Sequence, residues 1–351
     1  MLVSIIIDNY NYAQFLPKAI DSALAQTYSH IEIIVVDDGS TDNSKEILED
    51  YKERVQVFQK PNGGQASAFA FGLQQSRGEI IFFLDSDDVM YPELIARVVE
   101  AWRPAYCKIQ FKLDTIDTNG RNLNMIFPHY AQDLTPAEIR RQSLKFGVYP
   151  WPVTLGNAYS RAYLQQVLPF PDMVTYSPDS YLNKMAPLYG DVGVLHAVLG
   201  GYRVHGQNHW ASDTIKVSKY SIFLKLDDLL CDIFSKAALT RGYQIDGARQ
   251  RVNRSNLETR LLSLRLAPKL HPLPRDNIAK ALGDGWVSAW MSPGLTFLGR
   301  VLWSLWFAGL AVLPARIIRF LLSHGRAQHY RASLFSRLIQ WSRKSKLNTP
   351  N

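Results

Sequence analysis

Ile80-Ile81-Phe82-Phe83-Leu84-Asp85-Ser86-Asp87-Asp88 is an apolar run that stops in three carboxylates with one serine among them. Such a run suits a strand buried on both faces of a parallel sheet, and ligands of open α/β sheets bind beyond the carboxyl ends of the strands. Carboxylates gathered there repel one another unless a divalent cation or a cationic ligand sits between them. Taken alone, the run reads better as a solvated acidic turn. Two other segments repeat the pattern: Leu2 to Ile7 ends at Asp8-Asn9-Tyr10-Asn11, and Ile31 to Val36 ends at Asp37-Asp38-Gly39-Ser40-Thr41-Asp42. Three apolar strands therefore deliver polar residues to one sheet edge. Between them, Tyr12 to Gln26 carries apolar residues at helical spacing, and Asp42 to Arg54 follows a Ser/Thr/Asp start signal. Alternating strand and helix predicts an α/β fold with right-handed crossovers. Gly39 to Asp42 reads as a tight turn with a helix cap, which gives Asp42 a capping role and leaves Asp37 and Asp38 as site candidates.

Several motifs in order resemble family 2 glycosyltransferases: Ser4-Ile5-Ile6-Ile7, Tyr10-Asn11, Val35-Val36-Asp37-Asp38-Gly39-Ser40-Thr41-Asp42, Asn62-Gly63-Gly64, Arg77-Gly78-Glu79 and Leu84-Asp85-Ser86-Asp87-Asp88. The likeness is dense through residue 100 and sparser to residue 210. It implies a GT-A fold, a Rossmann-like, mostly parallel nucleotide-sugar-binding sheet flanked by helices, with a divalent metal and transfer with inversion. On that basis residues 1–212 form the GT-A domain, with a donor-binding half at 1–100 and an acceptor half at 101–212. Residues 213–294 are expected as a helical extension and 295–351 as a basic amphipathic tail.

The resemblance also implies roles. Asp38, with Asp37 beside it, would lie against the nucleobase, and Asn9, Tyr10, Asn62 and Ser86 fall in the same nucleotide-sugar set. Asp85 would sit near the ribose or diphosphate. Asp87 would hold the metal, while Asp88 reads either as a ligand or as a helix start. Oxygen ligands favour Mg2+ or Mn2+ over zinc, and family habit favours a UDP-sugar donor. The motif Tyr202-Arg203-Val204-His205 resembles a segment that closes over the donor, giving Arg203 to the diphosphate and His205 to the metal. Leu155-Gly156-Asn157 resembles an acceptor-cleft segment whose plain reading is a turn into a helix over Tyr159 to Leu168; Trp210 is a candidate stacking surface for a sugar.

Inverting transfer needs a base to take the proton of the attacking hydroxyl. Asp179, in Ser177-Pro178-Asp179-Ser180, stands where the family places that acid, with Asp172 and Asp191 as rivals; an acid in the first helical turn after a proline can also serve the helix dipole alone. Four positions depart from the family pattern: Asp8-Asn9 replaces a usual Pro-Thr, Ala70 a usual Asn, and Pro178 a usual acid.

Charge is uneven. Residues 1–100 hold seven Lys and Arg against sixteen Asp and Glu, residues 101–284 hold twenty-three against fifteen, and beyond Asp284 there are nine cations and no acid. A basic chain of pI near 9.3 raises nucleic acid as a partner, but the acidic first hundred residues and the lack of a recognition motif point to an anionic membrane surface instead. Val301 to Ala315 is uncharged and too short to span a bilayer. With Trp303, Trp306 and Phe307 it predicts a helix lying in the membrane interface, kinked or ended by Pro314. The alternative is a soluble helical appendage. Because Leu2 already begins a strand, no signal peptide is expected and the enzyme is placed in the cytoplasm, peripheral on the inner face of the membrane. Two unclustered cysteines, Cys107 and Cys231, offer neither a disulfide framework nor a zinc site.

The function these features imply is metal-dependent transfer of a sugar from a nucleoside-diphosphate sugar to a glycan or lipid-linked acceptor in envelope or extracellular polysaccharide synthesis. The competing readings are a nucleotidyltransferase and a catalytically silent, membrane-associated scaffold. A Rossmann dehydrogenase is disfavoured because the first strand lacks the glycine-rich turn.

Overall fold

A computed structural model describes residues 1–128, 130, 134–175, 177–205, 218–291 and 295–326. The chain divides into two compact units, residues 1–143 with 149–204, and residues 144–148 with 205–351.

The first unit is built on strands β1 (Val3–Asn9), β2 (Ile31–Asp37), β3 (Gln56–Gln59), β4 (Ile80–Asp85), β5 (Val89–Met90), β6 (Tyr106–Ile116), β7 (Asn122–Phe127), β8 (Asn157–Ser160) and β9 (Asp191–Arg203). They form one sheet in the order β3-β2-β1-β4-β8-β6-β9-β5, with β7 on β6. The first four are parallel, as strand-helix alternation dictates; β8 then runs antiparallel to both β4 and β6, so the sheet is mixed. Flanking it are α1 (Leu16–Leu24), α2 (Ser44–Glu49), α3 (Gln65–Gln75), α4 (Leu94–Ala101), α5 (Pro136–Phe146), α6 (Arg161–Val167) and α7 (Pro178–Met185).

Ile5, Ile6, Ile7, Val35, Phe82 and Leu84 are fully buried, each such side chain contributing about 1.5–3 kcal/mol. Helix α3 lies close on β1 because position 72 is glycine: a Cβ there would come within 2.4 Å of Ile6 Cγ2. Phe69 of α3 stacks on Phe83 of β4 with centroids 4.0 Å apart. At the amino end of the strands, Glu32 Oε1 accepts from Ser4 Oγ (2.6 Å), Arg77 N (2.5 Å) and Gly78 N (3.0 Å). The Arg77-Gly78 motif thus ties β4 to β1 and β2, far from the acidic strand ends. Parallel register then sets Asp8 beside Asp85 and Asn9 beside Asp37.

Three helix bounds differ from expectation. Helix α1 starts at Leu16, with Pro17 in its first turn, where no N–H is needed. Helix α2 ends at Glu49. Tyr159 lies in β8, and α6 begins at Arg161, with the Ser160 hydroxyl accepting from Tyr163 N as its cap.

The second unit contains α8 (Ser218–Thr240), α9 (Gly247–Gln250), α10 (Arg254–Leu266), α11 (Ile278–Met291), α12 (Phe297–Val312) and α13 (Ala315–Arg326). Leu257, Leu261, Ala289, Phe307, Leu310 and Ile318 share one core, so α10 to α13 pack as a body that spans the expected boundary at residue 294. Gly285 makes room for Phe307, whose ring a Cβ would meet at 2.9 Å. The expected interfacial face is thereby corrected: Phe307 is core, Trp306 Nε1 donates to Glu258 (3.1 Å), and Trp303 packs on Phe307 and the Arg254 guanidinium. The apolar stretch turns those aromatic side chains toward its neighbouring helices. Pro314 separates α12 from α13. No helix among the described residues is long and apolar enough to cross a membrane.

Candidate active site

Strand β4 delivers Asp85, and the chain turns at once, with Asp88 N donating to Asp85 O at 2.9 Å. The turn gathers Asp85, Asp87 and Asp88 so that one oxygen of each lies within 4.8 Å of the others. Asp8 joins from β1. Burial and then the Asp87 charge push its carboxyl up to about 7, while burial and neighbouring acids hold Asp85 and Asp88 well above the carboxylate range. Gln65 Nε2 donates to Asp85 Oδ1 at 2.7 Å. Asp88 Oδ2 and Asp8 Oδ1 are buried without a hydrogen-bond partner, a costly condition for carboxylate oxygens. Oxygen-only donors, mutual repulsion and orphaned oxygens fit a hard divalent cation. Asp85, Asp87 and Asp88 are the residues that would hold it. His205 is buried, opens the second unit and is not a member of this acidic group.

Arg203 is 1% exposed; Nε donates to Asp87 O (2.7 Å), Nη1 to Asp117 O (3.0 Å) and Thr118 O (3.1 Å), and the guanidinium lies over the Phe15 ring. Its backbone N–H donates to Asp88 Oδ1 at 2.8 Å. These contacts fasten the acidic turn to β9.

At the end of β2, Asp37 is buried, accepting from Asn9 Nδ2 (2.9 Å) and Ser40 N (3.2 Å); Asn9 Nδ2 also reaches Ser40 Oγ (3.1 Å). Asp38 is more heavily engaged. Its Oδ1 accepts from Gly63 N (3.0 Å) and the Lys60 ammonium, and its Oδ2 from Gly64 N (2.7 Å) and Gly63 N (3.2 Å). A carboxylate offers about four acceptor sites, and three donors, one of them shared between its two oxygens, tie Asp38 to the loop that carries Asn62. These contacts shape that loop, where Gly64 has φ +81°. Asn62 and Tyr10 are exposed at the same strand ends, and Ser86 is buried in the turn. Asp42 accepts from Ser44 N (3.1 Å) and Ala13 N (3.0 Å), bracing the β2 loop against the one after β1.

Asp179 occupies the first turn of α7, where an acid serving only the dipole would ionise easily. Instead burial raises its proton affinity, against hydrogen bonds from Ser180 N and the Ser177 hydroxyl and the charge of Lys108. Its charge is among those that raise the Asp85 carboxyl, after burial and the nearer acids. The rivals are placed otherwise: Asp172 is exposed, and Asp191 pairs with Arg140 at 2.9 Å. Lys108, which the motif reading missed, projects from β6 with no exposed surface. Its ammonium donates to Gln110 Oε1 (3.0 Å), Tyr149 Oη (3.2 Å) and Asn183 Oδ1, three acceptors for three protons. Asn183 stands four residues past Asp179 on α7, so the lysine anchors the helix that carries the acid. Burial pushes the ammonium well below its usual range. No local signal marked it, because Cys107 to Leu113 alternates apolar and polar residues and Lys108 falls on the polar side with Gln110 and Lys112.

On the acceptor side, Asn157 is fully buried and donates to Val153 O (2.8 Å) and Thr154 O (3.2 Å), with Oδ1 unpartnered. Gly156 is required by Pro152, whose Cβ would lie 2.3 Å from an added Cβ. Both residues shape the β8 approach from within. Trp210 lies outside the described residues.

The family model "Glycosyl transferase family 2" matches residues 4–168. An uncharacterized glycosyltransferase of Nostoc sp. is 36% identical over 222 residues, covering 60% of this chain and 67% of that protein. Chondroitin synthase of Pasteurella multocida is 34% identical over 168 residues, 44% of this chain but only 17% of the synthase. An uncharacterized glycosyltransferase of Rickettsia felis is 42% identical over 132 residues, again a small part, 22%, of the relative. Among solved structures, S. aureus TarS 1-349 in complex with UDP-GlcNAc superposes with a TM-score of 0.55 at 19% identity, covering 99% of this chain and 92% of that one. That last likeness concerns the fold.

Proposed function

The chain belongs to glycosyltransferase family 2, and from that premise we propose that it moves a sugar from a nucleoside-diphosphate sugar to an acceptor hydroxyl with the help of a divalent cation. The observation that carries this reading is the group of half-buried Asp85 and buried Asp87 and Asp88, with its unpartnered Asp88 oxygen, at the carboxyl end of β4. A bound Mg2+ or Mn2+ supplies positive charge to the departing diphosphate oxygens. Asp85, Asp87 and Asp88 would hold that ion, and Asp85, kept in place by Gln65, would lie nearest the ribose and diphosphate. Asp37, Asp38 and Asn9 set the loops on which Tyr10 and Asn62 meet the nucleoside. UDP is the favoured donor nucleotide, in line with the UDP-GlcNAc complex of TarS.

Asp179 is the base. The acceptor oxygen attacks the anomeric carbon while its proton passes to the Asp179 carboxylate, and the bond from that carbon to the diphosphate oxygen breaks with inversion. A raised proton affinity suits this task, because a base that holds its proton too weakly gives little drive for transfer. The acceptor is a glycan or lipid-linked saccharide of envelope or extracellular polysaccharide synthesis, reached at the inner face of the cytoplasmic membrane. The test is nucleotide release from a panel of UDP-sugars with Mn2+ and saccharide acceptors, with NMR of the product linkage. Inverted product from wild type and none from Asp179→Asn is the expected outcome; undiminished turnover in the variant would remove Asp179 from the reaction.

A further inference from the structure

The helices α11 and α12 leave an apolar groove open, lined by Trp286, Val287, Trp290, Val301, Ser304 and Leu305. Trp286 and Trp290 are 47% and 46% exposed and Leu305 is 63% exposed. The two indoles are not wet at their polar ends. Trp286 Nε1 donates to Ser304 O (3.1 Å), and Trp290 Nε1 to Ser304 Oγ (3.2 Å), so each ring turns its N–H inward and leaves an apolar body outside. On α12, Leu298, Val301, Leu305 and Val312 fall on one stripe at about 100° per residue, and Leu298 and Val312 are exposed with Leu305. Helix α13 also exposes an aromatic ring, with Phe320 59% exposed, and the exposed cations Arg316 and Arg319 lie on the same helix.

Scattered exposed apolar residues are ordinary, but an apolar groove between two helices, with both indole N–H groups turned inward, marks an interaction surface. Charge identifies the partner. From Gly285 to the last residue the sequence has nine Lys and Arg and no Asp or Glu. A second copy of this segment would set cations against cations with no acid of its own to offset them. A bilayer bearing anionic headgroups meets both demands, taking the rings at the headgroup boundary and the cations at its surface.

We propose that the groove face made by Trp286, Trp290, Val301 and Leu305, helped by the exposed Phe320 and the cations Arg316 and Arg319 of the following helix, docks this protein on an anionic lipid surface. The proposal deepens the peripheral location given above and is independent of which sugar is moved. Docking there would hold the chain at the plane where a lipid-linked acceptor lies.

The test is co-sedimentation of the full chain with vesicles of phosphatidylcholine alone or with about one third phosphatidylglycerol, at low and high salt. Wild type is expected to bind the anionic vesicles at least about tenfold more tightly than the neutral ones, with loss in high salt. A Trp286→Ser/Trp290→Ser variant and, separately, Leu305→Asp are each expected to lose about tenfold or more, and Arg316→Ser/Arg319→Ser to lose the preference for anionic lipid. UDP affinity in solution, measured on the same preparations, reports folding and the donor site: unchanged affinity with lost vesicle binding supports the proposal, whatever the fate of the transferase reading. Equal binding of wild type and the folded variants to anionic vesicles would overturn it. So would self-association abolished by Leu305→Asp in the absence of any vesicle binding, which would assign the face to a second copy.

Discussion

Replacing Asp38 by Asn separates two roles for a residue at the donor edge. The carboxylate accepts from Gly63 N, from Gly64 N at 2.7 Å and from the Lys60 ammonium. An amide of the same shape has one acceptor oxygen. If it serves the two glycine N–H groups, its NH2 faces the Lys60 ammonium; if it serves Lys60, a glycine N–H is left without a partner. Losing one hydrogen bond to a charged acceptor costs about 1.5–3 kcal/mol. The Lys60 pair adds about 0.5–1 kcal/mol, since that side chain is 15% exposed and can turn to solvent. The loop at 60–64 should therefore open more easily by about 2–4 kcal/mol, which speeds hydrogen exchange at the Gly63 and Gly64 amides by about 30- to 900-fold. UDP, GDP and dTDP affinities should all fall by a similar factor, because what is lost is the shape of the loop. Exchange rates left within about threefold of wild type, with a loss confined to UDP, would refute the loop-clamp role and return Asp38 to direct recognition of the base.

Asp179→Asn should lower kcat by about 100- to 10,000-fold with UDP affinity unchanged, the range for removing a general base. A base works deprotonated, and burial raises the Asp179 pKa, so activity should climb with pH through a midpoint above the ordinary aspartate value and fade below it. Lys108→Met removes a cation that favours the Asp179 carboxylate; in a pH-rate profile the acidic limb should move to higher pH, and a profile that stays in place would reduce Lys108 to a packing role. Gly78→Ala sets a Cβ 2.5 Å from Ser4 N and 2.9 Å from Val3 C, rigid backbone in both cases. Chemical denaturation should show the first unit destabilised by roughly 2–4 kcal/mol, and a loss under about 0.5 kcal/mol would show that the β1–β4 edge can yield.

Much of the donor half was legible because its signals are local. Apolar runs that stop in acid at Asp8, Asp37 and Asp85 gave both the parallel strands and the edge they share. The antiparallel insertion of β8 was not legible, since Asn157 to Ser160 is a four-residue strand whose pairing is set by β4 and β6 far away in sequence. Motif likeness named the right neighbourhoods but not the occupations of the side chains. Arg203 and Asn157 face inward onto backbone carbonyls, and Asp38 is tied to amides of a loop 25 residues on. Asp8 was visible as a departure from the usual Pro-Thr, but its tie to Asp85 needed the register of two strands. In the second unit, Val301 to Ala315 was correctly seen as apolar, yet which side of it meets neighbours depends on α10 and α11. Phe307 went to the core and Leu305 to the surface for that reason.

The most direct measurement is a calorimetric titration of the full chain with UDP, with Mn2+ and then with excess chelator, repeated for Asp87→Ala. A metal-dependent donor site built on Asp85, Asp87 and Asp88 requires binding at least about tenfold tighter with Mn2+ than without, and loss of that gain in the variant. Equal affinity with and without the ion, in folded protein and in both forms, would contradict it.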